Sequence, residues 1–277
     1  MSDTPFVLPS VTDAQGRPLD VIEVRGLTVD CIVGIYNRER VAPQPLRLDV
    51  ALFLDTRSAA VGGKLASTVH YGRLLGELRF LLEACRFELL ESAGEAICRY
   101  ILAPPTQDAP RAQVHAVTVR ITKPEALRRL AVPSLQVHRS AREMNYVVEE
   151  KHFGRVDIIH EGANYGVYRL RVKPGGFIPT HRHERMEESE LMIGPGLLLQ
   201  GRPVARGMAF LWAPGFVHRY DNPTSIEQTV LCVDRPRFIP SDEVETEPPA
   251  GGLVPAVGTS FYPHEEPATP PSSDGHA

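Results

Sequence analysis

Residues 45–55, PLRLDVALFLD, place Leu46, Leu48, Val50, Leu52 and Leu54 at every second position. Side chains alternate between the two faces of a strand, so this stretch reads as a strand with one face buried. The preceding segment VIEVRGLTVDCIVGIY, residues 21–36, reads as its partner. The period then changes. Leu74, Leu75, Leu78, Leu81 and Leu82 recur at helical spacing from Tyr71 to about Ala84, and Leu89, Leu90, Ala93, Ile97, Tyr100 and Ile101 mark a second helix. Strand character returns in AVTVRITK, residues 116–123, stopped by Pro124, and SLQVHR, residues 134–139, closes the region. The order β-β-α-α-β-β predicts an antiparallel sheet with two helices on one face.

Beyond about Lys151 the long helical periods stop. NYGVYRLRVKPGG, SELMIGPGLLLQG, MAFLWAPG and EQTVLCVDRP are short strands punctuated by Gly and Pro, the pattern of a small all-β barrel or sandwich. The chain therefore divides into a flexible lead-in at 1–17, an α+β domain at 18–142, a linker at 143–152, an all-β domain at 153–240 and a disordered tail at 241–277 rich in Pro, Glu, Ser and Gly.

Composition narrows the function. The 277 residues carry 30 Lys+Arg against 34 Asp+Glu, a formal charge of -4, which lacks the basic excess that binding to nucleic acid needs. No apolar run approaches the roughly 20 residues that cross a bilayer, so no membrane partner is expected, and the start MSDTPFVLPS lacks the pattern of a secretory leader. The reading is a cytoplasmic protein. Cys31, Cys85, Cys98 and Cys232 stand singly in apolar stretches and read as reduced core thiols.

Four polar residues of the first region stand where segments end: Glu39 after GIYN, Tyr71 in TVHYGRL, Glu91 in FELLESAGE and Lys123 in VRITKP. With GLTVDCIVGIYNRERVAPQPLRLDVALFLD and STVHYGRL, these motifs make about Asp20 to Ala141 resemble dihydroneopterin aldolase. The resemblance implies a T-fold subunit that assembles into a homo-oligomer, a tetrameric ring or an octamer of two rings, with active sites between neighbouring subunits. It implies retro-aldol cleavage of 7,8-dihydroneopterin, a dihydropterin, to 6-hydroxymethyl-7,8-dihydropterin and glycolaldehyde in folate biosynthesis, without a cofactor. In that family Lys123 corresponds to the general base, with a pKa brought down from about 10.4. Tyr71 corresponds to the residue that exchanges a proton with the product enol, and Glu39 to the glutamate near the substrate hydroxyls. Glu91 corresponds to the acceptor of the pterin 2-amino and N3–H donors, with Leu90 and Val69 lining the ring pocket. Gly62 and Gly63, and His70 before Tyr71, depart from common family residues and bear on substrate preference, including epimerisation at C2′. Epimerisation of dihydroneopterin, and a pterin-binding scaffold that carries a cupin enzyme or sensor, are the alternative readings.

In the second region THRHE places His181 and His183 two residues apart, so on a strand both imidazoles point one way. The spacing resembles the two motifs of the cupin family: Gly175, His181, His183, Glu187 and Gly194, then Gly207, Ala213, Gly215, His218 and Asn222, with Ala213 where proline is usual. The resemblance covers about Phe153 to Pro240 and implies a metal held by His181, His183, Glu187 and His218 in a small β-barrel. Glu188 competes with Glu187 for the carboxylate position. Fe, Mn, Ni, Cu and Zn all suit such a set, and open coordination positions fit several chemistries. Because the aldolase reaction needs no metal, residues 1–142 are expected to work without the second half.

Overall fold

The computed structural model describes residues 6–262 apart from 129 and 255. Its first sheet has four antiparallel strands in sequence order, β1 (Asp20–Cys31), β2 (Gln44–Leu54), β3 (Ala116–Thr122) and β4 (Ser134–Ser140). Between β2 and β3 run α3 (Tyr71–Cys85) and α4 (Leu90–Leu102), preceded by the short helices α1 (Asn37–Val41), between β1 and β2, and α2 (Arg57–Gly62). Leu46, Leu48, Val50, Leu52 and Leu54, the alternating set, are all buried. This is the antiparallel sheet with two helices that the hydrophobic periods predict, and it agrees with the T-fold that the resemblance implies.

The second half is all β. β5 (Val147–Lys151), β6 (Gly154–Glu161), β7 (Gly166–Val172), β8 (Phe177–His183), β9 (Glu187–Met192), β10 (Leu198–Leu199), β11 (Arg202–Pro203), β12 (Met208–Trp212), β13 (His218–Asp221), β14 (Gln228–Arg235), β15 (Glu243–Glu245) and β16 (Thr259–Ser260) form two sheets. A seven-stranded sheet runs β16-β12-β9-β14-β7-β6-β5 and a five-stranded one runs β11-β10-β13-β8-β15. Between them lies a core of Val172, Ile178, Met192, Phe210, Trp212 and Tyr220. No helix among the described residues is long and apolar enough to cross a membrane.

The helix layer is buried on both sides. α3 packs on β1 and also on β9 and β14, and α4 packs on β3 and β4 and also on β6. One continuous apolar cluster runs from the first sheet through Phe80, Leu81, Cys85, Ile97 and Cys98 into Ile159, Val167, Leu191, Leu231 and Val233 of the seven-stranded sheet. All four cysteines are free and buried, as read from the sequence.

Three stretches differ from the sequence reading. Residues 143–152 are not a free linker, because β5 pairs with β6 along its whole length and the Tyr146 hydroxyl donates to the Arg99 carbonyl at 2.7 Å. The tail does not begin at 241: β15 adds to β8, β16 adds to β12, and Phe261 and Tyr262 are buried. Few apolar residues suffice there because the segment borrows a core that is already formed, with the Phe261 ring edge-on to Phe80. Gly76 of α3 permits that docking, since a Cβ there would stand 2.3 Å from the Phe261 carbonyl oxygen. The remainder of the expected tail, 263–277, lies outside the described residues, as do residues 1–5 of the lead-in. Phe6, Leu8 and Val11 of the lead-in pack against Ala51, Phe53 and Ala116, on the face of the first sheet away from the helices.

Candidate active site and metal centre

The chain ends around the first sheet converge at one buried ion pair. Lys123, immediately after β3, donates from Nζ to Glu39 Oε1 at 2.6 Å, and each residue is only 8% exposed. Glu39 is held from its other side: Oε2 accepts the Tyr36 N–H at 3.1 Å, the capping contact that starts α1. Burial pushes the Glu39 carboxyl up, but the Lys123 ammonium and the Tyr36 N–H outweigh it and hold it below the ordinary range. Gly34 (φ 128°) closes the turn beside them, and its N–H donates to the Phe87 carbonyl at 3.0 Å. Arg40 donates to both the Gly34 and the Phe87 carbonyls, at 3.3 and 3.1 Å. The loop after β1, the loop before α4 and the end of β3 are thereby tied at one place.

The other residues of the first constellation lie differently. Tyr71 is 61% exposed at the first position of α3, and Glu91 is exposed in the first turn of α4. Leu90 is half-buried and Val69 is buried. A single chain thus brings Glu39 and Lys123 together and leaves Tyr71 and Glu91 at its surface. Ile35, Tyr36 and Leu89 are also exposed near these segment ends, an apolar rim on a polar site.

The second constellation closes between the two β-sheets. His181 and His183 share one face of β8, and His218 of β13 stands in register opposite His181. The carboxylate that meets them from the facing sheet is Glu188, not Glu187. Its Oε2 lies 3.1 Å from His218 Nε2 and 3.5 Å from His183 Nε2. The strand period explains the correction: Glu188 and Glu190 point inward, while Glu187 turns outward to Arg235 at 2.8 Å and Arg86 at 3.4 Å. Glu187 is therefore a strut between β9, β14 and the end of α3.

His181 Nδ1 lies 2.8 Å from the Pro179 carbonyl, the tautomer that leaves Nε2 as an acceptor toward the centre. Ligand atoms of His181, His183 and Glu188 all lie within 4.8 Å of one another. His218 Nε2 and Glu188 Oε2 are buried 3.1 Å from each other, with no aligned hydrogen bond to any described residue. Such atoms are costly to bury unless something else coordinates them. Two imidazoles and one carboxylate converging in this way, with a third imidazole against the carboxylate, fit a divalent cation. Burial, reinforced by neighbouring His218, pushes His181 down to about 4, whereas Glu188 overcomes the burial of His183 and raises it to about 9.

Five further side chains shape this centre. Trp212 stacks on the His218 ring at 4.6 Å. The Trp212 indole N–H and the Tyr220 hydroxyl both donate to Glu190, whose carboxyl is raised to about 7 by burial and by the adjacent Glu188 charge. The Cys232 thiol lies 3.3 Å from Glu188 Oε1 and 3.2 Å from Asp234, which steadies the Glu188 oxygen not facing the histidines. The sequence signal for Glu190 and Asp234 is an acid at an inward position of an otherwise apolar strand, a placement that demands partners. A cavity of about 350 Å³ opens onto His181, His183 and Glu188.

Comparison with known proteins agrees with the first half. The dihydroneopterin aldolase family model matches residues 22–138. Dihydroneopterin aldolase of Streptomyces coelicolor is 33% identical over 106 residues, 38% of this chain and 89% of that protein. The solved Escherichia coli dihydroneopterin aldolase in complex with neopterin is 25% identical, covering 44% of this chain and all of that one with a TM-score of 0.40. For the β half, the solved KdgF from Halomonas sp. is 17% identical over 35% of this chain and 92% of that one, with a TM-score of 0.31. Through its first 140 or so residues, then, the chain belongs to the dihydroneopterin aldolase family.

Proposed function

We propose that the first half cleaves 7,8-dihydroneopterin by a retro-aldol reaction, giving 6-hydroxymethyl-7,8-dihydropterin and glycolaldehyde. The observation that carries this reading is the buried Lys123–Glu39 pair at 2.6 Å in a chain of this family. In the proposed reaction Lys123, in its neutral amine form, removes the proton of the substrate 2′-hydroxyl, directly or through a water. The C1′–C2′ bond breaks, glycolaldehyde leaves, and the electron pair moves into the pterin N5=C6 imine. Return of a proton at C1′, with Tyr71 as its carrier, completes the hydroxymethyl product. Glu39 holds Lys123 in place and accepts from the substrate hydroxyl or the water. Glu91 anchors the pterin through its 2-amino and N3–H donors, with Leu90 and Val69 against the ring.

Because Tyr71 and Glu91 lie at the surface of one chain, the reading also requires a homo-oligomer, in which Tyr71 of one copy serves the Glu39–Lys123 pair of another. Support comes from the exposed rim of Ile35, Tyr36 and Leu89 and from the two edge strands β1 and β4, which the barrel leaves uncovered. A turnover assay with 7,8-dihydroneopterin, run beside a mass measurement in solution, tests both parts. Glycolaldehyde release by a multimer supports them, and an inactive protein or an active monomer refutes one or the other.

The β half is proposed to hold one divalent metal through His181, His183, Glu188 and His218. The support is the convergence of the buried ligand atoms of His181, His183 and Glu188 within 4.8 Å of one another, with His218 Nε2 3.1 Å from Glu188. A metal there would supply Lewis-acid chemistry with open coordination positions. Around it, Cys232 and Asp234 orient Glu188, Trp212 and Tyr220 hold Glu190, and the barrel walls limit water. Elemental analysis of the purified chain tests the assignment.

A further inference from the structure

Between the helix layer and the barrel lies another cavity, about 290 Å³, at the small end of ligand-binding volumes. The segment before and into α3, the chain after α4, and the barrel residues Arg169, Ile193, Arg206 and Thr229 each supply a wall. Leu74, Ile101 and Ile193 give it a dry side. Its polar side is basic: Arg73, Arg111, Arg169 and Arg206 line it against a single carboxylate, Glu77. Glu77 is engaged by the Tyr262 hydroxyl at 2.7 Å.

The four arginines are not equivalent. Arg169 is matched by Asp157, with Nε at 3.0 Å and a terminal nitrogen at 2.7 Å. Arg111 instead donates to the carbonyls of Ile101, Ala103 and Ala112 at 2.9, 2.8 and 3.0 Å. That uses three bonds of the five N–H donors that a guanidinium carries. Arg206 donates to the carbonyls of Ile193 and Asp108, each at 3.0 Å. Neither Arg111 nor Arg206 makes an ion pair within the described residues. Burial holds the Arg111 guanidinium below its ordinary value, the Glu77 carboxylate offsets this in part, and the Arg169 charge acts with the burial. Capping the end of α4 explains why an arginine is useful at 111, but it does not explain a second unmatched guanidinium across an open space. Carbonyl clamps fix both forks and leave donors spare, which is how a preorganised oxyanion site is built.

We infer that this cavity binds a small organic anion, a carboxylate or phosphate on a compact apolar body, held by Arg111 and Arg206 with its body against Leu74, Ile101 and Ile193. The site belongs to this two-part chain, since its walls come from both halves. Its lining contains none of Glu39, Lys123, His181, His183 and His218, and it meets the proposed pterin pocket only at Val69.

Calorimetric titration of the full-length protein at low salt with inorganic phosphate, phenyl phosphate and benzoate tests the inference. Saturable binding of phenyl phosphate or benzoate, at least about tenfold tighter than inorganic phosphate, is the expected result, and the better of the two identifies the head group. Arg206→Gln should weaken that binding at least about tenfold. Ala109→Leu narrows the cavity while leaving both arginines in place, and should abolish binding in a chain that still unfolds cooperatively. Absence of saturation by all three probes, equal affinity for phosphate and phenyl phosphate, or binding that survives Ala109→Leu would overturn the inference.

Discussion

Gly34 stands so close to Lys123 that a Cβ on it would lie 2.7 Å from the Lys123 Nζ, and 2.2 Å from Glu39 Oε2. The turn after β1 is shaped around the ion pair, and its positive φ is one that an L side chain adopts only under strain. Gly34→Ala is therefore expected to displace the pair and to cost about 1–3 kcal/mol of stability from the backbone alone. Glycolaldehyde release should fall much further than the melting temperature indicates. Full activity with an unchanged melting curve would show that the turn adapts freely.

Removing Lys123 should separate chemistry from binding. Lys123→Ala takes away the proposed base, a contribution of ~10²–10⁴ in rate, while Glu91 remains to anchor the pterin. Single-turnover rates beside a fluorescence titration with the pterin measure the two effects. Loss of affinity in proportion to rate would move Lys123 from catalysis to binding.

The same pair makes an acid-dependent contribution to stability. Glu39 has its folded pKa held below the ordinary value of 4.5, so its contribution is complete above that pH and is lost as pH falls through the folded value. Wild type and Glu39→Gln should thus differ most in melting temperature above about pH 5 and converge as the pH drops below 4.5. A gap that stays constant from pH 7 to pH 3 would mean that Glu39 is not titrating against Lys123.

Much of this could be read from the residues themselves. The leucines of 46–54 declare a strand because the period of two has no other use, and His181 and His183 declare a shared direction for the same reason. Choosing between Glu187 and Glu188 needs the phase of β9, and both phases give an inward acid in the sequence. Only the outward partners Arg86 and Arg235, which come from two other elements, fix which one is inside. Residues 241–262 misled because they carry too few apolar side chains for a core of their own, whereas Phe261 and Tyr262 need only complete one. The second buried face of α3 was legible in principle in Phe80 and Cys85, yet a helix period does not say what lies on its far side.

The phase of β9 can be tested with two neighbouring substitutions. Glu188→Gln should lower metal affinity by at least about 10–100-fold, since it removes a ligand rather than a supporting partner. Glu187→Gln should leave metal content at wild-type level and cost stability modestly, because its salt bridges to Arg235 and Arg86 are partly exposed. Elemental analysis after dialysis against chelator, beside a melting curve, decides it. The reverse pattern would return the ligand role to Glu187.

The continuous core bears on whether the halves can be parted. Cutting after residue 142 would strip the barrel from one side of α3 and α4 and bring toward water side chains such as Phe80 and Phe87, which pack against Phe261 and Tyr165. Each such side chain is worth about 1.5–3 kcal/mol when fully buried, so even partial exposure of several consumes a large share of the 5–15 kcal/mol by which a domain is stable. Residues 1–142 alone are thus expected to aggregate or to unfold well below the melting temperature of the full chain, against the separability that a metal-independent reaction suggests. Size-exclusion chromatography and thermal unfolding of the truncated chain, compared with the intact one, check this. A soluble, cooperatively folded fragment with full aldolase activity would show that the two halves share a surface but not a core.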